Sequence, residues 1–434
     1  MTARAWVLGG GVAGIVAAFR LVDRGYSVEL VEARSRLGGR VFSIERPGAD
    51  VPLDNGPHVI MGCYDEFRRL LRRLGTESGF VRPRALRVGY LAPGGAETQL
   101  ALPPLPVPVA MPWVLARWPA LGAARFRAVR GAIAAVRGAP ASWSVEDWLV
   151  ARRQLGAPRE WLWDPLCLAI MNAEPAETSA QVFLHTLRRA FGGRPGRAAI
   201  WIPQRPWGAL VGDPALAALR AAGVRVRLRC RAEAVEVASG RARRLCLQGR
   251  VSVDLAAPDL VVSALPWAQA ARLLPAHLPN ARTLEGRSIV NLTFAAAGGD
   301  WCRTSEPLTA LVGGRPFQFV YRTPGGSPNR GTLIAGAAAA LDGLPAREIA
   351  DRGRAQLAAY GLARGLCDET AFTVSKEAAA TVRVAADHRD WRPRPGSVPG
   401  LDNVRLCGDW TQTELPSTLE GAAASAAQMM RDRL

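Results

Sequence analysis

The chain predicts an α/β fold, a Rossmann-like domain with a second, α+β domain inserted into it. Three observations predict this. A short apolar run over residues 4–9 ends in a glycine cluster, helical spacing then brings in Ile15, Ala18, Phe19 and Val22, and a second apolar run, SVELVE, ends at Glu32. Such a strand–helix–strand unit of about 30 residues is the repeating block of parallel sheets. Far downstream, PDLVVSALP is continuous and apolar, the texture of a strand buried on both faces of a parallel sheet. Finally, 434 residues exceed the length at which a single core stops growing, so two closely packed lobes are expected.

Along the chain, YDEFRRLLRRLG places Phe67, Leu70, Leu71 and Leu74 on one helical face, with Gly75 as a stop. ALPPLPVPVAMPWVLARWPALG is rich in Pro, Leu, Val and Trp, and the Arg-spotted stretch ARFRAVRGAIAAVR follows. Two readings of residues 100–136 are open. One is a Pro-rich connection followed by an ordinary amphipathic helix. The other is an interfacial element facing a bilayer, with Trp113 and Trp118 near the headgroups and Arg toward phosphates. Ser144 is placed to cap a helix with Asp147 three positions on, and Thr178 or Ser179 to cap the next. GVRVRLRCRAEAVEV alternates at period two, as a half-exposed strand does. The expected division assigns 1–62, 205–270 and 371–434 to the first domain, and 63–204 and 271–370 to the second.

The formal net charge is +18, yet Lys376 is the one lysine. With heavy use of Ala, Gly and Pro, the Arg excess reads as the coding preference of a GC-rich genome. The competing reading is a basic face for anionic lipid or a diphosphate, and no nucleic-acid partner is expected. The seven cysteines, Cys63, Cys167, Cys230, Cys246, Cys302, Cys367 and Cys407, never form a C-x-x-C pair. Neither a metal site nor a disulfide framework is suggested, and a reducing cytoplasm fits best, with peripheral contact to its membrane as the variant. The first apolar stretch carries a glycine fingerprint and reads as a domain start, not a signal peptide. No stretch reaches the ~20 apolar residues of a spanning helix.

The chemistry is concentrated at the two ends. Gly9, Gly11 and Gly14 supply G-x-G-x-x-G between strand and helix. That spacing permits a tight turn, close backbone approach to a pyrophosphate, and close helix–strand packing. The helix amino terminus then offers N–H groups and its positive dipole end to phosphates. Glu32, at the end of the next strand, suits the ribose hydroxyls. In ARSRLGGR, Gly38 and Gly39 again permit close approach, and Arg40 offers a forked cation to a phosphate.

This order of G-x-G-x-x-G, Glu and G-G-R resembles the pattern that marks FAD in the flavoprotein family of amine oxidases, protoporphyrinogen oxidases and phytoene desaturases. VRLCGDWTQTELPSTLEGAAASA resembles that family's closing motif. The resemblance implies a GR2-type FAD domain holding the cofactor non-covalently. Val12 and Ala13 join the glycine turn, Ala33 joins Glu32, and Val235 belongs to the same contact set. Gly408 and Asp409 are implied at the ribityl chain and pyrophosphate, and Thr418, Leu419 and Glu420 at the flavin ring. A helix amino terminus there stabilises negative charge on reduced flavin. Cys407 lacks the neighbours of covalent attachment and reads as a small buried residue.

Three further stretches are similar to the squalene-associated FAD-dependent desaturases, the hydroxysqualene dehydroxylases. They are LDNGPHVIMGCYDEF from Leu53, WDPLCLAIMNAEPAETSAQVF from Trp163, and KEAAATVRVAADHRDWRPRPG from Lys376. Pro57 stands where that family usually has Gln. Asn55, Gly56, Pro57 and His58 are thereby implied at the cofactor. The resemblance implies an isoprenoid substrate, hydroxysqualene, reduced to squalene by hydride from reduced FAD, with NADPH or another external electron donor. An acid is needed for the leaving hydroxyl. His58 is one candidate, although it also suits orienting the turn that it follows. Asp164 is the other, although Asp before Pro is also a common helix start. For Lys376 no role follows. The 13 Trp suit a channel that tolerates cationic character, or simple core packing. The alternatives are a desaturase or oxidase of a polyene, amine or other natural product, and a flavin-bound redox protein without turnover. An amine oxidase typically needs an aromatic pair at the flavin, and the closing motif offers only Trp410.

Overall fold

β1 (Arg4–Leu8) is buried along its last four residues and turns at Gly9 into α1 (Val12–Val22), a helix buried at nine of its eleven residues. A helix apolar on nearly every side belongs between layers, and α1 lies between the parallel sheet and the last helix of the chain. The computed structural model describes residues 3–45, 52–296, 301, 304, 306–322, 329–366, 371–386 and 392–431. After α1 come β2 (Ser27–Val31), β3 (Leu53–Asp54), α2 (Asp65–Arg73), and the hairpin of β4 (Arg87–Leu91) and β5 (Glu97–Ala101). A helical layer follows: α3 (Val107–Leu115), α4 (Arg125–Ala135), α5 (Val145–Ala151), α6 (Asp164–Met171) and α7 (Ala180–Phe191). β6 (Arg225–Arg227) and β7 (Leu260–Ser263) return to the first sheet. β8 (Gly286–Ala295), β9 (Leu308–Leu311), β10 (Phe319–Arg322) and β11 (Arg330–Ala335) form most of a second sheet, covered by α8 (Ala339–Asp342) and α9 (Ala346–Ala359). The described chain ends through β12 (Phe372–Val382), β13 (Gly396–Ser397), β14 (Val404–Leu406) and α10 (Leu419–Met429).

The first sheet runs β6-β2-β1-β7-β14-β13, parallel except at β13. β7 is buried throughout and sits centrally, as its unbroken apolar texture predicts. The second sheet has seven strands in the order β12-β8-β11-β10-β9-β4-β5, antiparallel except where β9 meets β4. Residues 371–434, expected whole in the first domain, divide between the two sheets, because β12 pairs along its length with β8.

The faces of the second sheet are unequal. Val290, Leu292, Phe294, Val320 and Leu333 form one core with Ile349 and Leu357 of α9. Alternation sends Asn291, Thr293, Tyr321 and Thr332 to the other face. That face meets the helical layer, whose core includes Phe319, Trp163, Phe183 and Leu187, with Ile334 packed against it.

Local expectations fare unevenly. Ser144 and Asp147 form the reciprocal capping box, and Ser179, not Thr178, caps α7. The alternating run from Gly223 is not one strand. β6 stops at Arg227, Arg229 takes a left-handed φ of 55°, and a separate strand, Ala232–Ala238, begins a three-stranded antiparallel sheet. Trp118 corrects the interfacial reading in part: it is 4% exposed, and its indole N–H donates to Thr98 Oγ1 at 3.1 Å. Trp113 is 52% exposed.

Candidate active site

The carboxyl ends of β1, β2, β7 and β14 open side by side, the edge at which parallel sheets take ligands. Gly14 is dictated by packing: a Cβ there would stand 1.9 Å from the Gly9 carbonyl oxygen. α1 has no side-chain cap, which leaves the amides of Val12, Ala13 and Gly14 aimed at the opening. The second glycine turn abuts the first, with Gly38 N–H donating to Gly10 O at 2.9 Å. Glu32 ties them together. One carboxylate oxygen accepts from Gly10 N at 2.7 Å and the other from Arg34 N at 2.8 Å. Ala33 is exposed beside it, and Val235 lies opposite Leu245 in the three-stranded sheet. Two buried hydroxyls, Ser263 Oγ at the end of β7 and Thr413 Oγ1 in the closing loop, have no partner among the described residues. Uncapped amides, a backbone cradle and orphaned hydroxyls along one crevice fit a polar dinucleotide.

The closing motif completes the crevice. Gly408 N–H donates to Ser425 Oγ at 2.8 Å, and Asp409 receives Arg40 Nη2 at 2.6 Å. Arg40 also donates to Ala380 O, so both arms of its fork meet protein acceptors. Burial opposes the Arg40 charge, but Asp409 outweighs it and the guanidinium pKa rises. Thr418 caps α10, accepting from Gly421 N at 3.0 Å. The Glu420 side chain turns away to α2, accepting from Glu66 N and Phe67 N at 3.1 and 3.0 Å and pairing with Arg189 at 3.1 Å. Glu420 thus has only its backbone left for a ligand at the start of α10. Burial pushes the Cys407 thiol up to about 12, in keeping with an inert core residue. Sequence reasoning missed Arg392, which is 3% exposed and donates to the carbonyls of Trp410 and Leu415, gathering the closing loop around itself.

The Asn55–His58 turn lies against the second sheet. Asn55 O accepts from Ser375 Oγ at 2.9 Å and Asn291 Nδ2 at 3.4 Å, and the Asn55 amide reaches Glu377 Oε2 at 3.5 Å. A Cβ on Gly56 would stand 2.5 Å from Asn291 Nδ2. Asn291, Ser375 and Glu377 escaped sequence reasoning because period-two strands mark faces, not partners. His58 Nδ1 meets Gly56 O at 2.8 Å and its ring stands edge-on to Trp207, centroids 5.8 Å apart. Burial lowers the His58 pKa, so the ring is neutral. A carbonyl only accepts, so Nδ1 carries the proton and Nε2 is left as an acceptor. That geometry suits holding the turn better than delivering a proton.

Asp164 is not drawn to this turn. It starts α6 and pairs at 3.3 Å with Arg159, which also clamps Glu146 through two 2.7 Å bonds. Burial raises the Asp164 pKa against that pairing. Lys376 points to the opposite face from Ser375 and Glu377 and donates to the carbonyls of Asp342 and Leu344 at 2.9 and 2.7 Å. Asn172 joins the helical layer to the sheet: its amide donates to Thr381 Oγ1 at 2.9 Å and its oxygen accepts from Ala337 N at 2.8 Å. Residues 387–391 of the segment that begins at Lys376 lie outside the described residues.

Residues 12–429 match the family of flavin containing amine oxidoreductases. The chain belongs to that family. It is an FAD-dependent oxidoreductase with a Rossmann-like flavin domain and a substrate domain. Among curated relatives, the hydroxysqualene dehydroxylase of Rhodopseudomonas palustris is 28% identical over 96% of this chain and 95% of its own length. That of Sinorhizobium fredii is 27% identical over the same shares. Among solved structures, an oxidoreductase from Methanosarcina mazei superposes with a TM-score of 0.72 at 15% identity, covering 99% of this chain and 100% of that one. The two chains thus share their fold over nearly their whole length. Among the described residues, no helix is long and apolar enough to cross a membrane.

Proposed function

We propose that this flavoenzyme removes the hydroxyl of hydroxysqualene, a long isoprenoid alcohol, to give squalene, with electrons from NADPH or another external donor. What carries the reading is how the three dehydroxylase-like segments interlock. Asn55 of the first rests on Ser375 of the third, and Asn172 of the second reaches Thr381 of the third. Near full-length similarity to two hydroxysqualene dehydroxylases supports it.

Reduced FAD, when bound, supplies the hydride. The chain does the rest. The amides of Val12, Ala13 and Gly14, with Gly9, Gly11, Gly38 and Gly39, take the diphosphate; Glu32 takes the adenosine ribose beside Ala33 and Val235. Gly408 and Asp409, the latter fixed by Arg40, take the linking chain, and the α10 amino terminus from Thr418 takes the ring. Asn55, Gly56 and Pro57 form the wall held against Asn291, and His58 sets that wall by its bond to Gly56. Asp164 serves as a helix start paired to Arg159. Apolar side chains such as Phe319 and Ile334 exclude water from the substrate face, so that water does not capture a cation formed there.

The proposal extends to peripheral membrane contact through α3 and α4. Val109, Trp113, Phe126, Ile133 and Val136 are each more than half exposed. Residues 98–145 hold five arginines and no acid. Arg117 stacks on Trp113 at 4.6 Å and Arg125 on Phe126 at 5.1 Å, the pairing of a surface that meets anionic headgroups.

The test is conversion of hydroxysqualene by purified holoenzyme with an excess of reductant, with products identified by mass. Squalene supports the assignment. If hydroxysqualene persists while oxidised enzyme removes hydrogen from a polyene, the desaturase reading replaces it.

A further inference from the structure

Across the second sheet, residues in register form rows. One row runs Ala310, Phe319, Ile334, Asn291, Ser375, and its far end holds the Asn55–Gly56 turn. The next row on the same face runs Leu308, Tyr321, Thr332, Thr293, Thr373. Two residues along a strand span about 7 Å, and two strands across span about 10 Å. Tyr321 therefore stands on the same face as Asn291 and Ser375, one row and two strands from Asn291, and its long side chain spans part of that gap.

Thr332 and Thr293 satisfy each other, with hydroxyl oxygens 3.0 Å apart. Tyr321 has no such partner. The residue is 3% exposed, and its hydroxyl meets no hydrogen-bond partner among the described residues. An orphaned phenol in a core is costly and uncommon enough to need a reason. The fold does not need the oxygen, since Phe would fill the same volume. The register puts Tyr321 on the same face of the sheet as Asn291 and Ser375, the residues that hold the turn. Burial keeps the phenol protonated, hence a donor. Of its neighbours within and beside the row, Leu308, Phe319 and Ile334 are apolar, and the Thr332 hydroxyl is already engaged by Thr293.

We propose that Tyr321 Oη donates a hydrogen bond to the hydroxyl oxygen of the substrate, and so selects an alcohol over the corresponding hydrocarbon and fixes which carbon of the chain meets the flavin. This rests on the dehydroxylase reading. It is a binding role and moves no proton. The phenol gains a hydrogen bond from an alcohol and stays unpaired against a hydrocarbon, and that difference sets the preference.

The experiment measures equilibrium binding of hydroxysqualene and squalene to oxidised holoenzyme, read from the perturbed flavin absorbance without turnover. Wild type is expected to hold hydroxysqualene about 10-fold or more tighter than squalene. Tyr321→Phe is expected to weaken hydroxysqualene about 10-fold and leave squalene within about 2-fold. Equal wild-type affinities overturn the proposal without recourse to any variant. So does a Tyr321→Phe enzyme that keeps the preference, or one that loses both ligands equally, the mark of a structural role. Wild type that binds neither ligand strikes the dehydroxylase reading itself, and this inference with it; wild type that makes squalene while the variant keeps its preference leaves that reading standing.

Discussion

Arg40 and Asp409 are 369 positions apart in sequence and 2.6 Å apart in space, an ion pair that ties the second glycine turn to the closing motif. The Asp409 side chain is 8% exposed and that of Arg40 31%, so the pair is screened on one side only. Removing the acid leaves a guanidinium facing the crevice without its partner. Asp409→Asn is expected to weaken FAD binding about 10- to 100-fold, the worth of a charge-assisted hydrogen bond. Fluorescence titration of apoprotein with FAD measures it, and unchanged affinity would show that Arg40 alone organises that wall.

Gly56 and Asn291 should couple. A methyl group on Gly56 meets the Asn291 amide, so Gly56→Ala is expected to cost about 1–3 kcal/mol. Asn291→Ala alone loses one long hydrogen bond to Asn55 O and costs less. The double variant should recover about 1 kcal/mol relative to the sum, because the clash is gone. Chemical denaturation of the four proteins checks this, and strict additivity refutes it.

His58 gives a pH dependence with a definite sign. Burial lowers its pKa from the ordinary 6.5, so the unfolded chain binds a proton that the folded chain refuses. Its contribution is fully present above about pH 6.5 and is lost as pH falls toward the lower folded value, by at most about 1.4 kcal/mol per pH unit. The difference in stability between wild type and His58→Asn should therefore shrink on acidification from pH 7.5 to 5. A difference independent of pH would mean that folding leaves the ring's pKa unshifted, and one that grows on acidification would mean that the fold holds the ring charged.

The exposed face of α3 and α4 predicts binding to phosphatidylcholine vesicles that contain phosphatidylglycerol, and weaker binding as salt rises. Val109→Glu with Phe126→Glu removes two anchors and adds repulsion, and should lower vesicle partitioning at least about 10-fold while leaving the melting temperature near wild type, since both side chains are already in water. Equal sedimentation of the two proteins with vesicles would move the contact elsewhere.

The proposed cofactor crevice is legible in the sequence because its parts are contiguous: Gly9 to Gly14, Gly38 to Arg40, and Gly408 to Glu420 each carry their geometry in a few adjacent residues. The proposed substrate wall is not. Asn291, Ser375 and Tyr321 look like ordinary strand residues until β8, β10 and β12 are set in register. Position at a helix start marks Glu420 in the sequence, but its carboxylate is drawn to α2 amides that no local pattern announces. Trp118 had the sequence environment of an interfacial residue, yet Tyr90 and Thr98 of the neighbouring hairpin bury it. The alternating run from Gly223 hid a left-handed break at Arg229, which arginine does not signal.

The central claim is most directly tested by a single anaerobic turnover in D2O. Reduced holoenzyme, whose transferable flavin hydrogen exchanges with solvent, is mixed with one equivalent of hydroxysqualene. The account predicts that the flavin is reoxidised and that one squalene forms per flavin, bearing one deuterium at the carbon that lost the hydroxyl. Flavin that stays reduced with no squalene, or squalene formed without that deuterium, would contradict it.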